Sequence, residues 1–441
     1  MEKGDKTPSP HADRIEISPD GEIRVLSPAP AIERWSWALY DFANTIFSMN
    51  IATLYFAVWI VTERGASNTA FSLATSLSSA AVLLAAPYFG ALSDASRRRK
   101  PWVIGFTLAC VAATALLSPL ANAPLFLPLL AFALANTAYQ MALPFYNAML
   151  PELVPEEKRG RLSGYGTAAG YVGSIVGVLS VVPLVKTGGR QAAFLPTALL
   201  FLLFSLPLMV FCRDHLSRPR GDRPRVRFGE IARGSIEAFR AARRHPGLLR
   251  FIFASWFYQD ALGTTIAFMA IFAVSVLGLP AGGETTLFAV LTVPAVIGSF
   301  LTGIVSDKIG PRRTLLLVLW GWILGLLSIA LAPSLSLFWI CGVVLGFVFG
   351  GIWTVERPLL LTLVPEAEAG RFFGLLTLSA RAAAIVGPLL WALLVDGLAS
   401  RVGKEAAYRF AVASLSLFMA AAIWLLRGVP ERGLRSPPPN K

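Results

Sequence analysis

Apolar runs of about twenty residues alternate with short polar breaks along almost the whole chain. A helix of 18 or more apolar residues can cross a hydrocarbon core about 30 Å thick. The pattern predicts spans near 35–61, 69–92, 101–120, 124–149, 161–185, 192–212, 248–278, 284–305, 314–332, 335–362, 372–396 and 405–427. A spanning segment must satisfy its backbone polar groups internally, so each is expected to be helical. The predicted fold class is an all-α membrane protein, with twelve transmembrane helices in two pseudo-symmetric six-helix bundles. The bundles would occupy 35–212 and 248–427, with a polar tail at 1–34, a basic linker at 213–247 and a second tail at 428–441.

The two halves repeat in sequence. "GALSDASRRRKP" after the second span matches "GIVSDKIGPRR" after the eighth, so Asp94 maps to Asp307, 213 residues on. "LVPEEKRGRLSG" after the fourth span matches "LVPEAEAGRFFG" after the tenth. There Pro155, Gly160, Arg161 and Gly164 map to Pro365, Gly370, Arg371 and Gly374 at an offset of 210. Paired repeats around a site near the bilayer midplane are a transporter architecture.

Composition agrees with a membrane location. Of 441 residues 55% are hydrophobic and 15% charged, with mean hydropathy +0.62, against roughly 25% charged in soluble domains. The net charge of +13 is distributed unevenly: 31 of the 39 Lys and Arg residues lie on the side of the termini and 6 on the other. That bias places both termini in the cytoplasm, with the plasma (inner) membrane as the expected location. Anionic lipid headgroups account for the basic loops, and no nucleic-acid partner is implied. The first 30 residues are polar and Pro-rich without an apolar core, so the first span itself is the expected targeting signal.

Three scattered cysteines (Cys110, Cys212, Cys341) suggest neither a disulfide framework nor a metal site. The three histidines, His11, His215 and His245, all fall in polar segments. A membrane enzyme would need a nucleophile–base pair or metal ligands inside the spans, and no span carries a histidine. No phosphate-binding loop motif occurs, so the chain cannot itself drive transport with ATP. No cofactor is expected. "GYGTAAGYVGSIVG" lacks the strand and acidic residue of a dinucleotide site; Gly166, Gly170, Gly173 and Gly177 read as a helix-packing face.

Polar residues inside spans are costly and mark candidate sites. Asp41, Asn44, Thr45 and Ser48 form one helical stripe in span 1. Asn136, Gln140 and Asn147 form another in span 4, while Asp260 and Thr264 lie four apart in span 7, one turn after Trp256. Such stripes line a polar cavity or hydrogen-bond helices together. Asp41 is expected to face a water-filled cavity without a basic partner. Glu356 and Arg357 lie in span 10, with Arg381 at similar depth in span 11, and a buried Glu356–Arg381 pair is expected.

The duplicated G-x-x-x-D loops resemble the signature of the major facilitator superfamily over about 33–430. "YDFANT", "FYNAMLPEL", "YQDALGT" and "FFGLLTLSARAAAIVGPLL" are similar to its vacuolar-effluxer-like branch, whose fungal members are linked to amino-acid export. In span 10, Trp353 and Glu356 depart from that branch, so substrate transfers less well than fold. The resemblance implies that spans 1, 4, 7 and 10 line the cavity. It also implies that Asp94 with Arg97 and Arg98, and Asp307 with Arg312 and Arg313, latch the cytoplasmic gate. The combined expectation is a monomeric secondary transporter of a small polar solute, an amino acid among the candidates, coupled to a proton or cation. Drug or metabolite efflux and a non-transporting receptor are the alternatives.

Overall fold

The computed structural model describes residues 15–17, 23–66, 68–215, 231–278, 283–383 and 386–431, for some of them the backbone alone. Nearly all of the described chain is helix. Two three-residue strands, Ile15–Ile17 and Ile23–Val25, pair antiparallel in the N-terminal tail. Ala29 N–H then donates to Leu153 O at 2.7 Å, tying the tail to the body.

Helix α1 (Ala31–Phe47) starts directly after Pro30, slightly before the predicted boundary. It widens into π-helix over Ser48–Tyr55 and again over Trp59–Glu63, a geometry found often at functional positions. Buried Asn50 fixes the wider turn by donating to Gly177 O (3.0 Å) and Thr197 Oγ1 (3.1 Å). There follow α2 (Asn68–Ser96), α3 (Lys100–Leu116), α4 (Phe126–Ala148), α5 (Arg159–Gly188) and α6 (Phe194–Phe211). The linker contributes α7 (Ile231–Ala242), which packs on α2. The second half comprises α8 (Leu248–Leu277), α9 (Gly283–Ile309), α10 (Pro311–Ala330), α11 (Leu335–Phe349), α12 (Gly351–Leu363), α13 (Ala369–Ala383), α14 (Val386–Val402) and α15 (Lys404–Arg427). The tenth predicted span is thus α11 and α12 in succession.

Eight helices among the described residues are long and apolar enough to cross a membrane: α2, α4, α5, α6, α9, α10, the α11–α12 pair and α15. Their outer faces expose Leu77, Leu134, Leu199, Leu324 and Trp424. So wide an apolar exterior fits a lipid environment rather than water.

The glycine ladder of α5 is a packing face. A Cβ on Gly166 would lie 2.6 Å from Asp41 Oδ2, and one on Gly170 2.9 Å from Thr45 Oγ1. Bare glycine is what allows α5 to lie against α1 so closely. Helices α2 and α9 cross to the opposite halves of the sequence, α2 packing on α13 and α9 on α5.

Candidate functional site

The two crossings use the same residues twice. In one, a Cβ on Gly303 of α9 would stand 2.7 Å from Gly160 O of α5; in the other, Gly90 of α2 meets the Gly370 backbone of α13 at least as tightly. Gly90 and Gly303 are the first glycines of the duplicated loops, and Gly160 and Gly370 belong to the second repeated motif. Four residues, about one turn, beyond each first glycine stands the aspartate. Asp94 accepts from Gly370 N–H (2.9 Å) and Arg371 N–H (2.7 Å). Asp307 accepts from Arg161 N–H, with both oxygens at 3.1 Å. Each carboxylate therefore caps the start of a helix from the other half, where unpaired N–H groups and the helix dipole favour negative charge.

The arginines expected beside these aspartates are placed differently. Among the described residues no ion pair joins Arg97 or Arg98 to Asp94, and Arg97 itself turns the chain with φ 49°. Arg312 donates to Leu426 O (3.0 Å) and Arg427 O (2.8 Å), while Arg313 pairs with Glu431. The basic residues that do reach the aspartates are Arg99, with Nη2 3.6 Å from Asp94, and Arg161, with Nε 3.5 Å from Asp307. Buried Arg99 also binds Glu152 at 2.7 Å and donates to Glu366 O at 2.6 Å; Arg159 pairs with the Glu366 carboxylate. Asp214, at the start of the linker, accepts from Arg99 N–H and Lys100 N–H, capping α3. The expected local pairing fails because helix crossing, not sequence adjacency, decides which charges meet.

Deeper in the bundle the halves are joined again. Arg357 Nη2 donates to Asp41 Oδ1 at 3.0 Å, and Nη1 lies 2.7 Å from Oδ2. The expectation of an unpaired Asp41 facing water is therefore corrected: its partner is an arginine 316 residues away. The Arg357 guanidinium also lies over two rings, 5.6 Å from the Trp37 centroid and 5.5 Å from that of Tyr146. Those rings stack at 4.5 Å and are held by reciprocal bonds, Trp37 Nε1 to Tyr146 O (3.0 Å) and Tyr146 OH to Trp37 O (3.1 Å).

The expected Glu356–Arg381 pair falls outside the described side chains. Glu356 itself accepts from Tyr258 OH at 2.7 Å and from Gln259 Nε2 at 3.1 and 3.3 Å. The Arg381 side chain lies outside the described residues. Asp260 is wholly buried and no side chain of the described residues hydrogen-bonds its oxygens, which lie against the Gly387 backbone; a Cβ on Gly387 would lie 3.1 Å from each. Asn44 Oδ1, Gln140 Oε1 and Asn147 Oδ1 are likewise buried acceptors without a donor. Asn136 is also buried, whereas Trp256 is half-buried against Phe257.

Periodicity alone does not single out Arg357, Trp37 and Tyr146 as site residues. One signal was available: Glu356 and Arg357 are adjacent on a helix and diverge by about 100°, so Arg357 needs an acid on some other helix. Asp41 lies in the stripe of span 1.

The model of the vacuole effluxer Atg22-like family matches residues 57–435. The chain belongs to this family. A Bacillus subtilis protein described as an uncharacterized MFS-type transporter, YxiO, is 26% identical over 422 residues, covering 90% of this chain and 94% of that one. Autophagy-related protein 22 of Kluyveromyces lactis is 25% identical over 347 residues, covering 70% and 68%. Among solved structures, the E. coli fucose:proton symporter FucP superposes with a TM-score of 0.66 at 15% identity, covering 90% of this chain and 97% of that one. A bacterial homologue of the iron transporter ferroportin, in its outward-facing state, gives 0.67 at 15% identity over 90% and 98%. At such identities these structures establish the major facilitator fold alone. Family and helices together make this vacuole effluxer-like chain an integral, multi-pass membrane protein of a transporter superfamily.

Proposed function

We propose that this protein is a monomeric secondary active transporter that moves a small polar solute by alternating access, with an amino acid as the first substrate class to test and a proton or cation as the coupling species. Twelve spans would form bundles at 35–212 and 248–427 around the basic linker, in the plasma (inner) membrane with both termini cytoplasmic. The observation that carries this reading is the pair of crossings, α2 on α13 and α9 on α5, each closed by an aspartate on the partner helix's N-terminus. Contacts duplicated across a pseudo-symmetry and confined to one face are what a rocking mechanism would break and remake. In this state the basic face is closed, so the solute path would open on the opposite side.

Asp260 and Glu356 are the acids not neutralised by Arg357, and they supply negative charge for a substrate ammonium or a coupling cation. Asp260→Asn is expected to abolish gradient-driven uptake into proteoliposomes while leaving the melting temperature near that of wild type, because the amide oxygen can still accept from the Gly387 backbone. Wild-type flux in that mutant would remove Asp260 from the site. Flux of an amino acid, compared with sugars and cationic drugs under an imposed proton gradient, tests the function itself. Absence of all gradient-dependent flux would reject it.

Sidedness has its own test. Single cysteines at Asn122 or Ser334 should react with an impermeant maleimide from outside the cell, and one at Arg220 only after the membrane is opened. The reverse pattern would invert the gate.

A further inference from the structure

We infer that Trp37, Asp41 and Tyr146 form a recognition site for an organic monocation, which Arg357 fills in the state seen here and a soluble guanidinium or ammonium group fills when the halves part. This rests on the alternating-access reading above. Three features of the site point to it.

The first is its construction. Two stacked rings and one carboxylate surround a delocalised cation, the arrangement that recognises organic cations through ring faces and a counter-charge. The walls do not depend on Arg357. Trp37 and Tyr146 hold each other through two side-chain-to-backbone bonds, and α5 backs Asp41 directly through Gly166. Every one of these groups lies in the first half of the chain, so the box would persist when Arg357 withdraws.

The second is the origin of its occupant. Arg357 stands on α12, a helix of the other half. Parting of the halves on the basic face draws Arg357 out and strands a buried carboxylate beside the stacked rings. A desolvated, unpaired carboxylate is unfavourable, and the space released has the size and shape of a guanidinium. The third feature is the border. Asn44 Oδ1, one turn along α1 from Asp41, is buried without a donor among the described residues, as are Asn147 Oδ1, next to Tyr146 on α4, and Gln140 Oε1, two turns before it. These are acceptors for the N–H groups of a cation larger than the arginine tip.

The second half lacks such a box. Trp256 and Asp260 repeat Trp37 and Asp41 at an offset of 219, but Glu356 stands where Tyr146 does, at an offset of 210, and is itself held by Tyr258 and Gln259. The position equivalent to Arg357 is Asn147. The recognition is therefore one-sided. Arg357 acts as a tethered competitor, and closure of the basic face and occupancy by a free cation exclude each other.

The test is chemical rescue with methylguanidinium on the purified full chain. Arg357→Gln should bind methylguanidinium about tenfold or more tighter than wild type, whose own arginine competes, and its melting temperature should rise on binding. Asp41→Asn/Arg357→Gln and Trp37→Leu/Arg357→Gln should not respond. Equal responses in these double mutants, or an equal response of Arg357→Gln to potassium at matched ionic strength, would overturn the site.

Should Arg357→Gln fail to fold, the otherwise wild-type protein carries the test. Ser163 is wholly buried on α5, and a cysteine there, in a background without Cys110, Cys212 and Cys341, should label faster with methylguanidinium present. An unchanged rate would overturn the proposal. Rescue in a protein without measurable flux would leave this site standing and reject the transporter reading. Flux without rescue would do the opposite.

Discussion

Arg357→Gln is expected to destabilise the folded protein by about 3–5 kcal/mol, the usual consequence of stranding one partner of a buried ion pair. Asp41→Asn should be milder, and the double mutant should recover much of the loss of the worse single mutant. The order follows from what each change leaves behind. Without Arg357, Asp41 is a buried carboxylate beside the Trp37–Tyr146 stack, backed by Gly166 and left with the Tyr146 hydroxyl as its polar neighbour. Without Asp41, the guanidinium keeps both ring faces of Trp37 and Tyr146, which retain part of its stabilisation. With both neutral, no buried charge is unpaired, and two amides of similar shape can hydrogen-bond across the same gap. Detergent melts of the four proteins give the coupling as a double-mutant cycle. A double mutant no more stable than the worse single one would mean that the pair is incidental to packing.

That pair also shows where sequence reading stops. Helices and their approximate ends are legible because an apolar run of fixed length has one solution in a bilayer. The repeat is legible because both copies keep the glycine and the aspartate in register. The glycine ladder of α5 is legible too, since four small residues at helical spacing leave a face that only a close neighbour can fill. What periodicity gives is the face a residue occupies, not the helix which that face meets. The family resemblance points Asp94 to its neighbours Arg97 and Arg98, although the chain turns at Arg97 and the carboxylate caps α13. Depth alone pairs Glu356 with Arg381, and the described side chains that reach Glu356 come from Tyr258 and Gln259 on α8. The sequence neighbourhood of Asp41 offers Arg34 as the nearest cation. Arg34 Nε instead donates to Ala29 O at 2.9 Å.

Gly90→Val and Gly303→Val should each block closure of the basic face and reduce flux by about tenfold or more, with little change in melting temperature. At both positions the atoms met by a new side chain are backbone: Gly370 for Gly90, and Gly160 O at 2.7 Å for Gly303. Backbone in a helix cannot turn aside as a side chain does, so α2 must lift from α13, or α9 from α5. Overpacking of this kind costs about 1–3 kcal/mol, but only in the arrangement where the helices touch. A penalty confined to one of two states is a shift of their ratio, roughly 5- to 150-fold for that range. It is not a loss of folding, because the open arrangement does not contain the clash. Each lifted crossing also withdraws its aspartate from the opposing helix N-terminus, so sterics and electrostatics act in the same direction. A cysteine at Ser163 should then label continuously from the side of the basic loops in either mutant. Pseudo-symmetry makes the stronger demand that the two valines, 213 residues apart, act alike, and that the double mutant be scarcely worse than either, since one lifted crossing already holds the face open. If Gly90→Val arrests transport and Gly303→Val does not, the crossings are not equivalent halves of one gate, and only α2 on α13 controls access.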